Sequence, residues 1–123
     1  MPKKILLIED DPFLSEIYTA KFEEAGFEMS HAQDGSIGLR KIKDEHPDLL
    51  MLDIVMPNID GFEFLRIIKD ERETKDIPVV ILSNLGEQED VEKGLGLGAA
   101  AYIIKAHYTP TEVVAKVKAI LNK

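Results

Sequence analysis

The chain has 123 residues, 45% of them hydrophobic and 31% charged, which is enough for one buried core and too little for two domains of ordinary size. It has no cysteine, which excludes a disulfide framework, a zinc-thiolate site and a thiol nucleophile. A formal net charge of -8 argues against direct contact with a nucleic-acid backbone, which draws its affinity from Lys and Arg.

No apolar run approaches the roughly 20 residues of a membrane-spanning helix, and the N-terminus leads into a strand without a signal-like segment. The expectation is one cytoplasmic domain over residues 1–123, with no membrane and no direct nucleic-acid binding. Its partners should be proteins and a small cation. No internal repeat, low-complexity tract or linker interrupts it.

Short apolar runs alternate with longer amphipathic stretches. Lys4 to Ile8 reads as a strand, followed by Glu9, Asp10 and Asp11. Asp11 suits a helix N-cap and Pro12 the first helical position, and Leu14, Ile17, Tyr18, Phe22 and Ala25 recur at helical spacing until Gly26. Phe27 to His31 predicts a second strand, and Gly35 to about Glu45 a more polar helix.

Leu49 to Leu52 is an unbroken apolar run that ends in Asp53 and turns at Met56-Pro57. An apolar run without alternation marks a strand buried on both faces, as in parallel sheets. Asp60 is the expected cap of a third helix, with Glu63 reciprocating. Pro78 to Leu82 predicts a fourth strand, and Glu87, Glu89 and Asp90 suit the first turn of a fourth helix. Gly98 reads as that helix's C-cap, Ala100 to Ile104 as a fifth strand, and Thr109-Pro110-Thr111-Glu112 as a capping box opening a last helix.

This alternation predicts an α/β fold: a doubly wound, five-stranded parallel sheet covered by five helices. Right-handed crossovers favour the strand order 2-1-3-4-5. Ligand sites in such sheets lie at the carboxyl ends of the strands. Those ends here are Glu9 and Asp10, Asp53, Ser83 and Asn84, and Lys105. Three clustered carboxylates repel one another and raise at least one pKa unless a cation sits among them. All-oxygen donors point to Mg²⁺, with Mn²⁺ as a substitute, rather than zinc. Lys105 and the Ser83 hydroxyl could hold phosphoryl oxygens while Asp53 supplies the nucleophile.

The set Glu9-Asp10, Asp53-Ile54-Val55-Met56-Pro57 with Gly61, Ser83, Tyr102 and Lys105 resembles the receiver domain of two-component response regulators, including the single-domain chemotaxis regulators. The resemblance runs from Lys4 to Leu121 and implies a flavodoxin-like fold. It implies that Asp53 accepts a phosphoryl group from a sensor histidine kinase or a histidine phosphotransfer protein. Asp10 would bind Mg²⁺ directly, Glu9 largely through water, and the Val55 carbonyl as a further ligand. Lys105, the Ser83 hydroxyl and the Asn84 backbone N–H would bind the phosphoryl oxygens. Tyr102 would be an aromatic switch that turns inward as Ser83 moves.

The resemblance further implies a signalling phosphoacceptor rather than a classical enzyme. Its output face would be the fourth helix, fifth strand and fifth helix, which would meet a protein target or a second copy on phosphorylation. One residue departs from the family pattern: Ala106 stands where proline usually follows the lysine. A cis bond before a non-proline residue costs about 3 to 4 kcal/mol, so the Lys105-Ala106 peptide is expected to be trans or strained.

Other features have plainer explanations. Gly94, Gly96 and Gly98 follow a helix and precede a strand, the reverse of a dinucleotide-binding turn. His31, His46 and His107 show no ligand spacing and are expected to be solvated, with His107 near enough to Lys105 to line the site. An aspartyl phosphohydrolase is disfavoured because Val55 occupies the place of the second aspartate such enzymes use. A receiver-like module that has lost phosphorylation is disfavoured because every expected site residue type is present.

Overall fold

Each apolar run forms a strand and each amphipathic stretch a helix in the computed structural model, which describes residues 2–122. In chain order these are β1 (Lys4–Ile8), α1 (Pro12–Glu24), β2 (Glu28–Ala32), α2 (Gly35–Glu45), β3 (Leu49–Leu52), α3 (Gly61–Lys69), β4 (Val79–Ser83), α4 (Gln88–Gly96), β5 (Ala101–Ile104) and α5 (Pro110–Leu121). A short 3-10 turn, Lys105–His107, links the last two. All neighbouring strands pair in parallel, in the order β2-β1-β3-β4-β5. The terminal residues of the expected 1–123 domain lie outside the described region.

Alternate strand residues point to opposite faces, and both faces are apolar. Leu6, Ile8, Leu50, Leu52 and Ile81 meet Ile42 of α2 and Phe64, Leu65 and Ile68 of α3. Ile5, Leu7, Leu49, Met51, Val80 and Leu82 meet Tyr18 and Phe22 of α1 and Val113 and Val117 of α5. Burial of each such side chain contributes about 1.5–3 kcal/mol, so the central strands are the most strongly held elements.

Three boundaries shift by one residue, each for a local reason. Phe27 is claimed by the end of α1 rather than by β2. Gly26 sits at φ 97, its N–H donates to the Glu23 carbonyl, and the Phe27 N–H donates to the Phe22 carbonyl. That is a Schellman closure, sealed by the Phe22 and Phe27 rings at 5.5 Å. Gly98 closes α4 in the same way, as expected. Pro78 offers only its carbonyl, to the Leu50 N–H, so β4 begins at Val79 and extends to Ser83. Ala100 makes one bond to the Val79 carbonyl ahead of β5 proper.

The capping box of α5 forms in both directions, from the Glu112 N–H to Thr109 and from the Thr109 N–H to the Glu112 carboxylate. The one expected for α3 forms by half. Asp60 accepts from the Glu63 N–H, but the Glu63 carboxylate turns to Arg66 at 2.8 Å, because a cation one turn along competes successfully for it.

Candidate functional site

The site begins where the β ladder runs out. The Asp53 N–H donates to the Ile8 carbonyl and the Glu9 N–H to the Ala32 carbonyl, each at 3.1 Å. Both acids are thus fixed one step beyond the ends of β3 and β1 and are almost fully buried, at 7% and 1% exposure. Asp53 Oδ1 accepts from the Ile54 N–H at 2.7 Å, and Glu9 Oε2 from the Asp11 N–H at 3.2 Å.

Lys105 reaches in from the end of β5. Its Nζ lies 2.5 Å from Glu9 Oε1 and 3.1 Å from Asp53 Oδ2. The cation required among the carboxylates is therefore supplied in part by the chain itself. Burial raises the Glu9 pKa and the Asp53 charge adds to it, against the hydrogen bonds from Lys105 and the Asp11 N–H. Burial works to lower that of Lys105, but the Glu9 hydrogen bond and the Asp53 and Glu9 charges outweigh it and hold the ammonium above its usual range.

Oxygens of Glu9, Asp10 and Asp53 lie within 4.8 Å of one another. A donor set made only of carboxylate oxygens suits a hard divalent cation. The acidic pocket thus fits the Mg²⁺ or Mn²⁺ expected there.

The carboxyl ends of β4 and β5 bring the remaining expected residues to the same edge. Ser83 is buried, and its Oγ accepts from the Leu85 N–H at 3.2 Å, so its hydroxyl is engaged within its own loop rather than with Asp53. The Tyr102 hydroxyl donates to the Leu85 carbonyl. Its ring fills the space that Gly94 leaves open beside Ile81, so the aromatic side chain is already turned inward. Burial pushes the Tyr102 phenol up to about 12, with the Asp90 and Asp53 charges adding to it.

Val55 stands 64% exposed at the rim, whereas Leu85 packs against the core. No cis peptide occurs among the described residues, so the Lys105-Ala106 bond is trans. The Ala106 N–H, which a proline would lack, donates to Asn84 Oδ1 at 2.9 Å.

Two features are not visible in the sequence. The spacing of Tyr18 marks it as core, yet it lines a cavity of about 280 Å³ with Lys105, Asn84 and Ala106. Its pKa is raised by burial, with Lys105 lowering it and Glu9 and Asp53 raising it. The role of the Asn84 side chain as acceptor for the Ala106 N–H is likewise not visible in the sequence. Of the histidines, His46 and His107 are exposed as expected, whereas His31 is half-buried with Nε2 2.7 Å from the Glu9 carbonyl oxygen. Tyr108, not His107, lines the cavity beside Lys105.

Known proteins resemble this chain in sequence and fold. The chain is 37% identical to the phosphate regulon transcriptional regulatory protein PhoB of Escherichia coli (strain K12), over 100% of this chain and 53% of that protein. It is 37% identical to the DNA-binding dual master transcriptional regulator RpaA of Synechocystis, over 100% and 50%. The chain thus spans about half the length of these curated relatives. The receiver domain of the Francisella response regulator 1452 superposes with a TM-score of 0.89 at 30% identity, covering 98% of this chain and 97% of that one. A CheY-like receiver domain protein of Methanospirillum hungatei superposes with a TM-score of 0.91 at 28% identity, covering 99% and 95%. The family model of the response regulator receiver domain matches residues 5–118. The chain belongs to the response regulator receiver domain family of two-component signalling.

Proposed function

We propose that this receiver domain is a phosphoacceptor that takes a phosphoryl group onto Asp53 from a phosphohistidine of a sensor kinase or histidine phosphotransfer protein. The observation that carries this is the Asp53 carboxylate held 3.1 Å from the Lys105 ammonium, with the Glu9 and Asp10 carboxylates beside it. An Asp53 oxygen forms the new P–O bond as the P–N bond of the donor breaks, and the leaving imidazole nitrogen keeps its electron pair. Lys105 pairs with a phosphoryl oxygen, the Ser83 hydroxyl and the Asn84 backbone N–H with others.

Glu9, Asp10, Asp53 and the Val55 carbonyl would hold Mg²⁺, or Mn²⁺ in its place. When bound, the ion neutralises charge on the phosphoryl oxygens. The chain works in the cytoplasm as one receiver unit over residues 1–123 and does not itself contact nucleic acid or membrane. It assists its own phosphorylation and dephosphorylation rather than turning over a substrate. Movement of Ser83 toward the phosphoryl group shifts the population of Tyr102 conformers and alters the α4-β5-α5 face, which meets a protein target or a second copy.

Incubation with phosphoramidate and Mg²⁺, followed by intact-mass measurement, is expected to give one phosphoryl adduct that is absent from Asp53→Asn. Continuous turnover of a phosphate ester would point to a hydrolase, and no adduct at all to an inactive interaction module.

Val55 at the rim obstructs an attacking water. Val55→Asn is therefore expected to speed loss of the phosphoryl group several-fold, and an unchanged rate of decay would remove Val55 from that role.

A further inference from the structure

Ile104 is the last β5 residue in register with β4, opposite Ser83. Asn84 and Lys105 are thus the first residues past the end of the ladder, where the two chains part. Yet a cross-link continues one step further: the Ala106 N–H donates to Asn84 Oδ1 at 2.9 Å, a side-chain carbonyl standing where a backbone one would be.

Little else holds this peptide. The turn over Lys105–His107 is closed by a long bond of 3.4 Å from the Tyr108 N–H to the Lys105 carbonyl, and Ala106 and His107 are exposed. The Lys105 ammonium, in contrast, must meet Glu9 at 2.5 Å and Asp53 at 3.1 Å. A flexible four-carbon stem holds such a geometry best when its backbone origin is fixed.

We propose that the Asn84 carboxamide is a positioning residue for Lys105, clamping the Lys105-Ala106 peptide to the β4-α4 loop. This rests on the phosphoacceptor reading of the site. The clamp also joins the loop that carries Ser83 to the loop that carries Lys105. Displacement of Ser83 toward a phosphoryl group on Asp53 carries Asn84 with it, and Ala106 follows. The two phosphoryl-binding side chains therefore close on the group together. A proline at 106 would have no donor for Asn84, so the clamp belongs to chains that pair a carboxamide at 84 with a free N–H at 106.

The test uses the full chain with phosphoramidate and Mg²⁺, in wild type, Asn84→Ala, Ala106→Pro and the double variant. Misplacement of a reacting group by about 1 Å costs up to about a hundredfold in rate. Asn84→Ala is expected to slow phosphorylation at saturating Mg²⁺ by about ten- to a hundredfold. The Mg²⁺ concentration for half-maximal rate should stay within about twofold, because the carboxylates are untouched. The Ala106 amide should lose its protection against hydrogen exchange.

Because proline also restricts the residue before it, the decisive quantity is the effect of Asn84→Ala in each background. It should be large beside Ala106 and absent beside proline. An equal loss in both backgrounds, an unchanged rate in Asn84→Ala, or a loss seen only in Mg²⁺ affinity would each overturn the clamp. If wild type forms no adduct, the phosphoacceptor reading fails. The clamp is then judged on the Ala106 amide and the Lys105 ammonium resonance, both of which Asn84→Ala must shift for it to stand.

Discussion

Lys105→Met in the presence of a chelator is expected to lose about 3–5 kcal/mol of stability relative to wild type, the usual cost of removing one partner from a buried ion pair. The Lys105 side chain is 9% exposed and Glu9's is 2%, so water does little to screen what remains. Methionine keeps the apolar stem, which confines the change to the charge.

The loss should depend on pH in a defined direction. The Glu9 carboxyl already titrates above its ordinary value of 4.5 in the folded protein, because of burial and the Asp53 charge. Removing Lys105 removes two influences that hold it down, so it rises further. A group raised on folding keeps its proton longer in the native state. Its contribution is favourable below the ordinary value and falls away as pH rises through the raised one. The variant should therefore approach wild type in mildly acidic buffer and fall behind it as the pH rises. In wild type the Lys105 contribution is full below 10.5 and disappears only as alkali reaches its raised value.

A divalent cation that binds the native carboxylates should restore part of the loss, about 2.7 kcal/mol at a concentration a hundred times its dissociation constant. Denaturant melts across pH, with chelator and with Mg²⁺, check all of this. A variant as stable as wild type in chelator at neutral pH would show that the carboxylates do not repel one another.

Gly61→Ala is expected to cost about 3 kcal/mol, near the top of the range for overpacking, and to slow phosphorylation as well. A Cβ at residue 61 would lie 2.3 Å from the Asp53 carbonyl oxygen and 2.6 Å from the Ile54 Cα. Both are backbone atoms that cannot rotate aside. The Gly61 N–H also donates to the Ile54 carbonyl at 2.8 Å, which pins α3 against the residue that follows Asp53. Relief of the clash must move either that helix or the Asp53-Ile54 backbone. The expected signature is a lower melting temperature together with a slower rate of adduct formation at full Mg²⁺ saturation. A variant that melts like wild type would mean that the α3 N-terminus can withdraw at no cost.

These expectations separate what the residues disclose singly from what they disclose only together. Leu49 to Leu52 could be read as a central strand because its apolar character does not alternate, and Asp53 could be placed at a strand end because nothing else polar interrupts the run. Strand edges were less legible. Phe27 has a strand-former's side chain, yet the Schellman closure at Gly26 has the stronger claim on its N–H.

Lys105 could be placed at the same sheet edge as Glu9 and Asp53, but its ion pairs with both could not be read, since they depend on how a long side chain meets two others across that edge. The same holds for Tyr18, whose helical spacing marks it as core while its position beside Lys105 emerges only from packing. Ser83 was recognisable by type, but its engagement with the Leu85 N–H depends on the loop's own turn.

The contact between Lys105 and Glu9 joins positions 96 apart in the chain. Contacts of such separation form only after their loop-closure entropy has been met by the rest of the structure. Until β5 has docked, Glu9 and Asp53 stand beside one another without the Lys105 ammonium. The charge balance of the acidic pocket therefore depends on the last strand of the sheet being in place.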